Sequence, residues 1–326
     1  MDLHGKLRQQ MRWFRLGVLL TSSTIWFGCA STEIPVACDQ PRSSLSGLPD
    51  RGLSAHRGGV LGCPENTLGA FQRAICLGVH QIELDVRATA DAELVVAHDD
   101  RVSAQDGRTL KISQSTLTDV QALRLAPCTG EKVCQQRIPM LEDVLAIMPK
   151  NIWINLDIKK NNPLIARLVA ETVAQADRFE QVIFGVRDEA APAVRRVEKV
   201  VGKNGWINNM SRKILRSQYV DTTLASCDEF IQLTSFRGKP SREIIDRLKQ
   251  ADVRVNYSWI DEEEEEALGQ KLGGLFDRGV NFVLVDHAEP AMNAAQALGI
   301  SPVVPKWKGR PPFSCSDPLP SCAGDP

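Results

Sequence analysis

Four short polar clusters crowd one stretch of the chain: His56-Arg57-Gly58, Pro64-Glu65-Asn66-Thr67, Glu83-Leu84-Asp85 and His98-Asp99. Glu83 and Asp85 stand two apart, so in a strand both point to one face while Ile82, Leu84 and Val86 point to the other. A later run repeats the alternation, with Trp153, Asn155, Asp157 and Lys159 on one face and Ile152, Ile154, Leu156 and Ile158 opposite. Carboxylates that share a buried face are costly unless they are hydrated, paired or bound to a cation. Oxygen donors of this kind suit one hard divalent cation, Mg2+ or Ca2+, which makes Glu83, Asp85 and Asp157 the expected metal ligands. The competing reading is an ion-pair network around Lys159 that only stabilises the fold. Three acids accompanied by two histidines weigh toward the metal.

His56 and His98 each close a strand-like run. On opposite sides of a metal-bound anion, one imidazole would serve as general base and the other as general acid. Arg57 offers a planar fork for two oxygens of a phosphate, and Lys159 a second cationic contact. His80 and His287 have no acid cluster of their own and receive no role.

These side chains can meet only if the elements that carry them lie side by side. Strand-like runs at 53–56, 81–87, 151–159, 181–186, 205–208, 229–236, 253–257 and 280–286 alternate with helical patterns such as Asn66–Gly78, Pro163–Ala176 and Ser241–Ala251. Such alternation implies parallel strands joined by crossover helices. Eight units predict a TIM (β/α)8 barrel, which takes about 250 residues. The short run Glu93–His98 and the excursion Asp99–Pro149, with its Asp106-Gly107 turn, form an insertion after the second strand. An open doubly wound sheet is the alternative, but His56-Arg57-Gly58-Gly59 is not its Gly-rich phosphate loop.

The 326 residues divide into a signal-like segment 1–29, a Ser/Pro-rich linker 30–50, the barrel 51–305 and a Pro/Cys-rich tail 306–326. A hydrophobic fraction of 43% with 24% charged residues is that of a globular protein, and a net charge of −1 leaves no electrostatic footprint for nucleic acid. The acidic run Glu262–Glu266 reads as the start of a helix. Lys6, Arg8, Arg12 and Arg15 precede the apolar segment Leu16–Gly28, the pattern of an export signal. Gly28-Cys29-Ala30-Ser31 resembles a lipobox, so the expectation is a protein of the cell envelope or periplasm, held at the membrane by a lipid on Cys29. Cys128 and Cys134 flank a turn-like segment and Cys315 and Cys322 bracket another, so each pair could close a small disulfide loop; zinc is the alternative, against which the lack of any Cys-x-x-Cys argues, and the sequence does not give the connectivity.

Taken in this order, HRG, PENT, E-x-D and HD resemble the glycerophosphodiester phosphodiesterase family, as do IPMLEDVL, the N-x-D-x-K strand and Trp259 after a late strand. The resemblance covers roughly residues 52 to 300 and implies a TIM barrel. It implies that Glu83 and Asp85 bind the metal, that His56 and His98 do acid–base work and that Arg57 holds phosphate. Trp259 and Lys159 would contact substrate, and Glu65 would be a metal ligand or orient His56. The family's third acid is usually Glu and here is Asp157, whose shorter side chain would move the ion, bind it through water or change metal preference. The implied reaction cleaves a glycerophosphodiester or lysophospholipid substrate to glycerol 3-phosphate and an alcohol. Water and the substrate's own hydroxyl are both open as nucleophile, and either histidine as the acid. Two other readings stand beside it. One is a sphingomyelinase D-like phospholipase, against which the full Pro64-Glu65-Asn66-Thr67 motif argues; the other is a lipid-anchored binding protein without turnover, for which Asp157 argues.

Overall fold

The computed structural model describes residues 48–315 apart from 60, 130–134, 188, 204, 211–215, 235–240 and 259–264. The expected anchor at Cys29, most of the linker, and Trp259 lie outside the described residues. Strand β1 (Gly52–Ala55) runs through the turn His56–Gly58 toward α1 (Leu68–Leu77) and β2 (Gln81–Ala88). Thr67 starts α1 by accepting a hydrogen bond from the Ala70 N–H, and Gly78 ends it in the left-handed region at φ 79°.

Next come β3 (Leu94–Val96), the hairpin β4 (Arg101–Ser103) and β5 (Thr109–Lys111), and helices α2 (Leu117–Gln121) and α3 (Leu141–Ile147). Alternation then resumes with β6 (Trp153–Ile158), α4 (Pro163–Gln175), β7 (Val182–Val186), α5 (Ala191–Val201) and β8 (Trp206–Asn209). It continues with α6 (Arg216–Ala225), β9 (Phe230–Thr234), α7 (Arg242–Gln250), β10 (Arg254–Ser258), α8 (Glu265–Phe276), β11 (Phe282–Val285) and α9 (Ala288–Ala297).

Strands β1, β2 and β6 to β11 pair in parallel, and the β1–β2 and β1–β11 ladders close the sheet into the predicted eight-stranded barrel. The insertion leaves after the second barrel strand, as expected. Its first strand, β3, adds antiparallel to the end of β2, and a small apolar cluster of its own (Val95, Ile112, Val120, Ile138) holds the insertion together.

The two-residue alternation explains both layers of the core. Ile82, Leu84, Ile154, Leu156 and Phe184 face outward into the main cluster under the helices. Trp153, Ile183, Trp206, Phe230 and Phe282 face inward and form a separate aromatic floor, with Trp153 and Phe230 centroids 5.4 Å apart. Arg254 lies over both of those rings at 5.9 Å and pairs with Asp50 at 3.0 Å, so the lower end of the barrel is plugged. The polar residues of β2 and β6 stand above that plug.

The cysteines pair differently from the expectation of short local loops. Cys128 is bonded to Cys63 and Cys315 to Cys76, across sequence separations of 65 and 239 residues. The physical reason is packing: the insertion and the returning tail both come to rest on α1. The Val303 N–H donates to the Gly78 carbonyl at 2.8 Å, and the Trp307 indole to the Ile147 carbonyl at 2.9 Å, which carries Cys315 back to Cys76. The formerly expected partners, Cys134 and Cys322, fall outside the described residues. Among the described residues no helix is long and apolar enough to cross a membrane.

Candidate catalytic site

Register builds the site. In the β2–β6 ladder Glu83 sits beside Asn155 and Asp85 beside Asp157, so two acids that are distant in sequence become direct neighbours. Carboxylate oxygens of Glu83, Asp85 and Asp157 lie within 4.8 Å of one another, and all three residues are buried. Like charges this close need a cation between them. Part of that charge is present: Lys159 Nζ lies 2.6 Å from Asp85 Oδ1 and 2.7 Å from Asp157 Oδ2.

The titration behaviour follows from that geometry. Burial pushes the Glu83 carboxyl well above the usual carboxylate range, and the adjacent Asp85 charge adds to the push. Burial also acts to raise Asp85, but the Lys159 charge and hydrogen bond outweigh it and hold Asp85 low. Lys159 would lose its proton more readily through burial, yet Asp157 and Asp85 keep it raised. The cluster is therefore short of positive charge at Glu83. Three buried oxygen donors with one carboxyl left uncompensated fit a hard divalent cation.

The ladder sets Ala55 beside Val285, and His56 and Asp286 are the residues that directly follow these two. Asp286 Oδ1 is 2.5 Å from His56 Nδ1, while Nε2 points toward Glu83 at 4.0 Å. A carboxylate only accepts, so Nδ1 carries the hydrogen of that bond and Nε2 is left as the basic nitrogen of the neutral ring. Arg57 adopts φ 53°, in the left-handed region, which turns its N–H to donate to Glu83 Oε2 at 3.1 Å. Its guanidinium donates to Glu65 Oε2 at 2.8 Å and lies 3.4 Å from Asp85.

Glu65 is placed away from the acid cluster: its side chain is 56% exposed and pairs with Arg57. Its neighbour Asn66 reaches in, donating to Asp85 Oδ2 at 2.8 Å and accepting from the Asp85 N–H at 3.3 Å. His98 stands at the rim after β3, its Nδ1 2.9 Å from Asp99 Oδ1 and its carbonyl held by Arg87. Burial and then the charge of Lys159 lower the His98 pKa, with Asp85 acting the other way. His56, Arg57, Glu83, Asp85, Asp157 and Lys159 are thus joined by direct contacts, and His98 by the field they create.

Asp286 and Asn66 are not among the residues that the sequence singles out for a role. Asp286 directly follows the last barrel strand, whose closing position next to the first strand was the signal available. Asn66 lies inside the Pro64-Glu65-Asn66-Thr67 motif, where the charged Glu65 draws attention first.

The Glycerophosphoryl diester phosphodiesterase family matches residues 56–289. The "Probable glycerophosphodiester phosphodiesterase 2" of Mycobacterium tuberculosis is 39% identical over 267 residues, covering 78% of this chain and 92% of its own length. Human "Lysophospholipase D GDPD1" is 34% identical over 142 residues, 40% of this chain and 43% of its own length, so the match spans less than half of that relative. Among solved structures, an Oleispira antarctica phosphodiesterase in complex with the product sn-glycerol-3-phosphate superposes with a TM-score of 0.60 at 19% identity, covering 76% of this chain and 97% of that one.

Proposed function

Because the chain belongs to the glycerophosphoryl diester phosphodiesterase family, we propose that it hydrolyses glycerophosphodiesters to glycerol 3-phosphate and an alcohol. The observation that carries this reading is the buried Glu83–Asp85–Asp157 cluster with the His56 imidazole beside it. Glu83, Asp85 and Asp157 hold a divalent cation, Mg2+ or Ca2+, which when bound supplies charge neutralisation of the phosphate. Arg57 extends from the turn after β1 to a phosphate oxygen, exchanging its exposed partner Glu65 for the substrate. Lys159 keeps the two paired aspartates from repelling each other and lends its remaining charge to the phosphate.

In this reading His56 Nε2 takes the proton from the attacking water as its oxygen bonds to phosphorus and the bond to the leaving alcohol breaks, while Asp286 stabilises the imidazolium that forms. His98 at the rim, kept in place by Asp99 and Arg87, gives a proton to the departing alkoxide. The structural neighbour from Oleispira antarctica, solved in complex with the product sn-glycerol-3-phosphate, supports glycerol 3-phosphate as a product. Glycerophosphocholine hydrolysis with added Mg2+ or Ca2+, with and without chelator, tests the reading in wild type and His56→Ala. Turnover that ignores the chelator, or survives in His56→Ala, would overturn the mechanism. No turnover in wild type would favour a binding protein.

The same proposal includes export and lipid attachment at Cys29, supported by the basic and apolar segment that precedes it and by disulfides suited to an oxidising compartment. Cys29→Ser should move the protein from the membrane fraction to the soluble one. Retention at the membrane would remove the anchor from the account.

A further inference from the structure

The loop between residues 59 and 67 supplies none of the three clustered acids, yet it grips one of them. Asn66 uses both ends of its amide on Asp85, at 2.8 Å and 3.3 Å, and does so from φ 57°, in the left-handed region that asparagine enters more readily than most residues. The Asn66 N–H donates to the Arg57 carbonyl at 2.9 Å, and the loop that carries Asn66 is fastened to the insertion. The disulfide Cys63–Cys128 ties the loop to it covalently, and the Thr129 N–H donates to the Gly62 carbonyl at 2.6 Å. Arg73 on α1 bridges the same two segments by donating to the carbonyls of Leu61 and Thr129. The fit is close: a Cβ on Gly69 would fall 2.7 Å from Cys128 Sγ.

We infer that the Cys63–Cys128 disulfide and Arg73 are positioning groups that hold Asn66 against Asp85 and so set the affinity of the acid cluster for a divalent cation. Asp85 is fully buried, so a carboxylate oxygen that loses its amide donor has no water to replace it. Partners that orient a metal ligand are typically worth about 10- to 100-fold in metal affinity. Another disulfide, Cys76–Cys315, fastens the tail to the C-terminal end of α1, at the opposite end of the helix from the Thr67 cap. It serves as the internal control.

The inference rests on the metal-dependent reading above, and Mg2+ titration calorimetry on the full chain separates the two. Cys63→Ser/Cys128→Ser and Asn66→Ala should each weaken Mg2+ binding about tenfold or more, at a temperature where both are folded by circular dichroism. Adding Asn66→Ala to the cysteine pair should weaken it no further, because both changes remove one contact. Cys76→Ser/Cys315→Ser should melt earlier yet bind Mg2+ like wild type. Equal weakening in that control, wild-type affinity in Cys63→Ser/Cys128→Ser, or additive losses would overturn the positioning role. If Cys63→Ser/Cys128→Ser does not fold, Arg73→Met with the disulfide intact decides, and unchanged Mg2+ affinity overturns the role. If wild type binds neither Mg2+ nor Ca2+, the metal reading itself falls and this inference with it.

Discussion

At His56 the two ring nitrogens have separate tasks, because Asp286 accepts at Nδ1 while Nε2 faces the acids. Asp286→Ala should lower kcat/KM by about 10²-fold, within the range that positioned acid–base groups contribute, while Mg2+ affinity measured by calorimetry stays unchanged. A parallel loss of Mg2+ binding would move Asp286 from the histidine to the metal. Asp157→Asn removes one of three anionic donors and should weaken Mg2+ binding at least about tenfold. Glu83 makes binding pH-dependent. Its carboxyl is raised chiefly by burial, and a cation needs the carboxylate, so Mg2+ binding expels a proton wherever the pH lies below the raised value. Affinity should therefore climb from the ordinary Glu range up to that value and then level off, with proton release visible in buffers of unlike ionisation enthalpy. Without metal the sign for stability reverses. A raised Glu83 costs stability as pH rises through that window, whereas Asp85, held low by Lys159 against burial, contributes stability that is lost as pH falls through its depressed value.

At the scale of elements, the eight barrel strands were legible to within two residues at either end. The expected strand 81–87 is β2 at Gln81–Ala88, and the weakest one, 205–208, is β8 at Trp206–Asn209. Period-two patterning survives because each strand must satisfy an apolar helix layer outside and a mixed barrel interior inside. Trp259, expected to touch substrate, falls outside the described residues, so its place in the site rests on the resemblance alone. The need for a glycine at position 69, in the first turn of α1, was not legible, since nothing local shows it. The requirement is a close approach of the Cys63–Cys128 sulfurs, and Gly69→Ala should cost about 1–3 kcal/mol in denaturant unfolding through overpacking. A neutral or stabilising result would mean that the disulfide can retreat from α1.

For the whole molecule, closure of the sheet and the aromatic floor separate a dry lower barrel from a charged upper one. Phe230 is fully buried between Trp153 and Trp206, and Phe230→Ala should cost about 3–5 kcal/mol with little change in Mg2+ affinity. A matching loss of metal binding would show that the floor and the site are mechanically coupled. The expected local disulfide loops went astray for a related reason. Proximity in sequence says little about which thiols meet once α1 is sandwiched between the insertion and the tail.

Residue chemistry and periodicity determined which side chains share a face and that the strands are parallel. Those facts are local, set by the alternating directions of successive side chains. Tertiary structure alone decided that Asp286 partners His56, that Lys159 pairs with Asp85 and Asp157, and that a disulfide ties the loop carrying Asn66 to the insertion. Each of these depends on ladder register or loop packing between segments far apart in the chain. No short window of sequence carries that information.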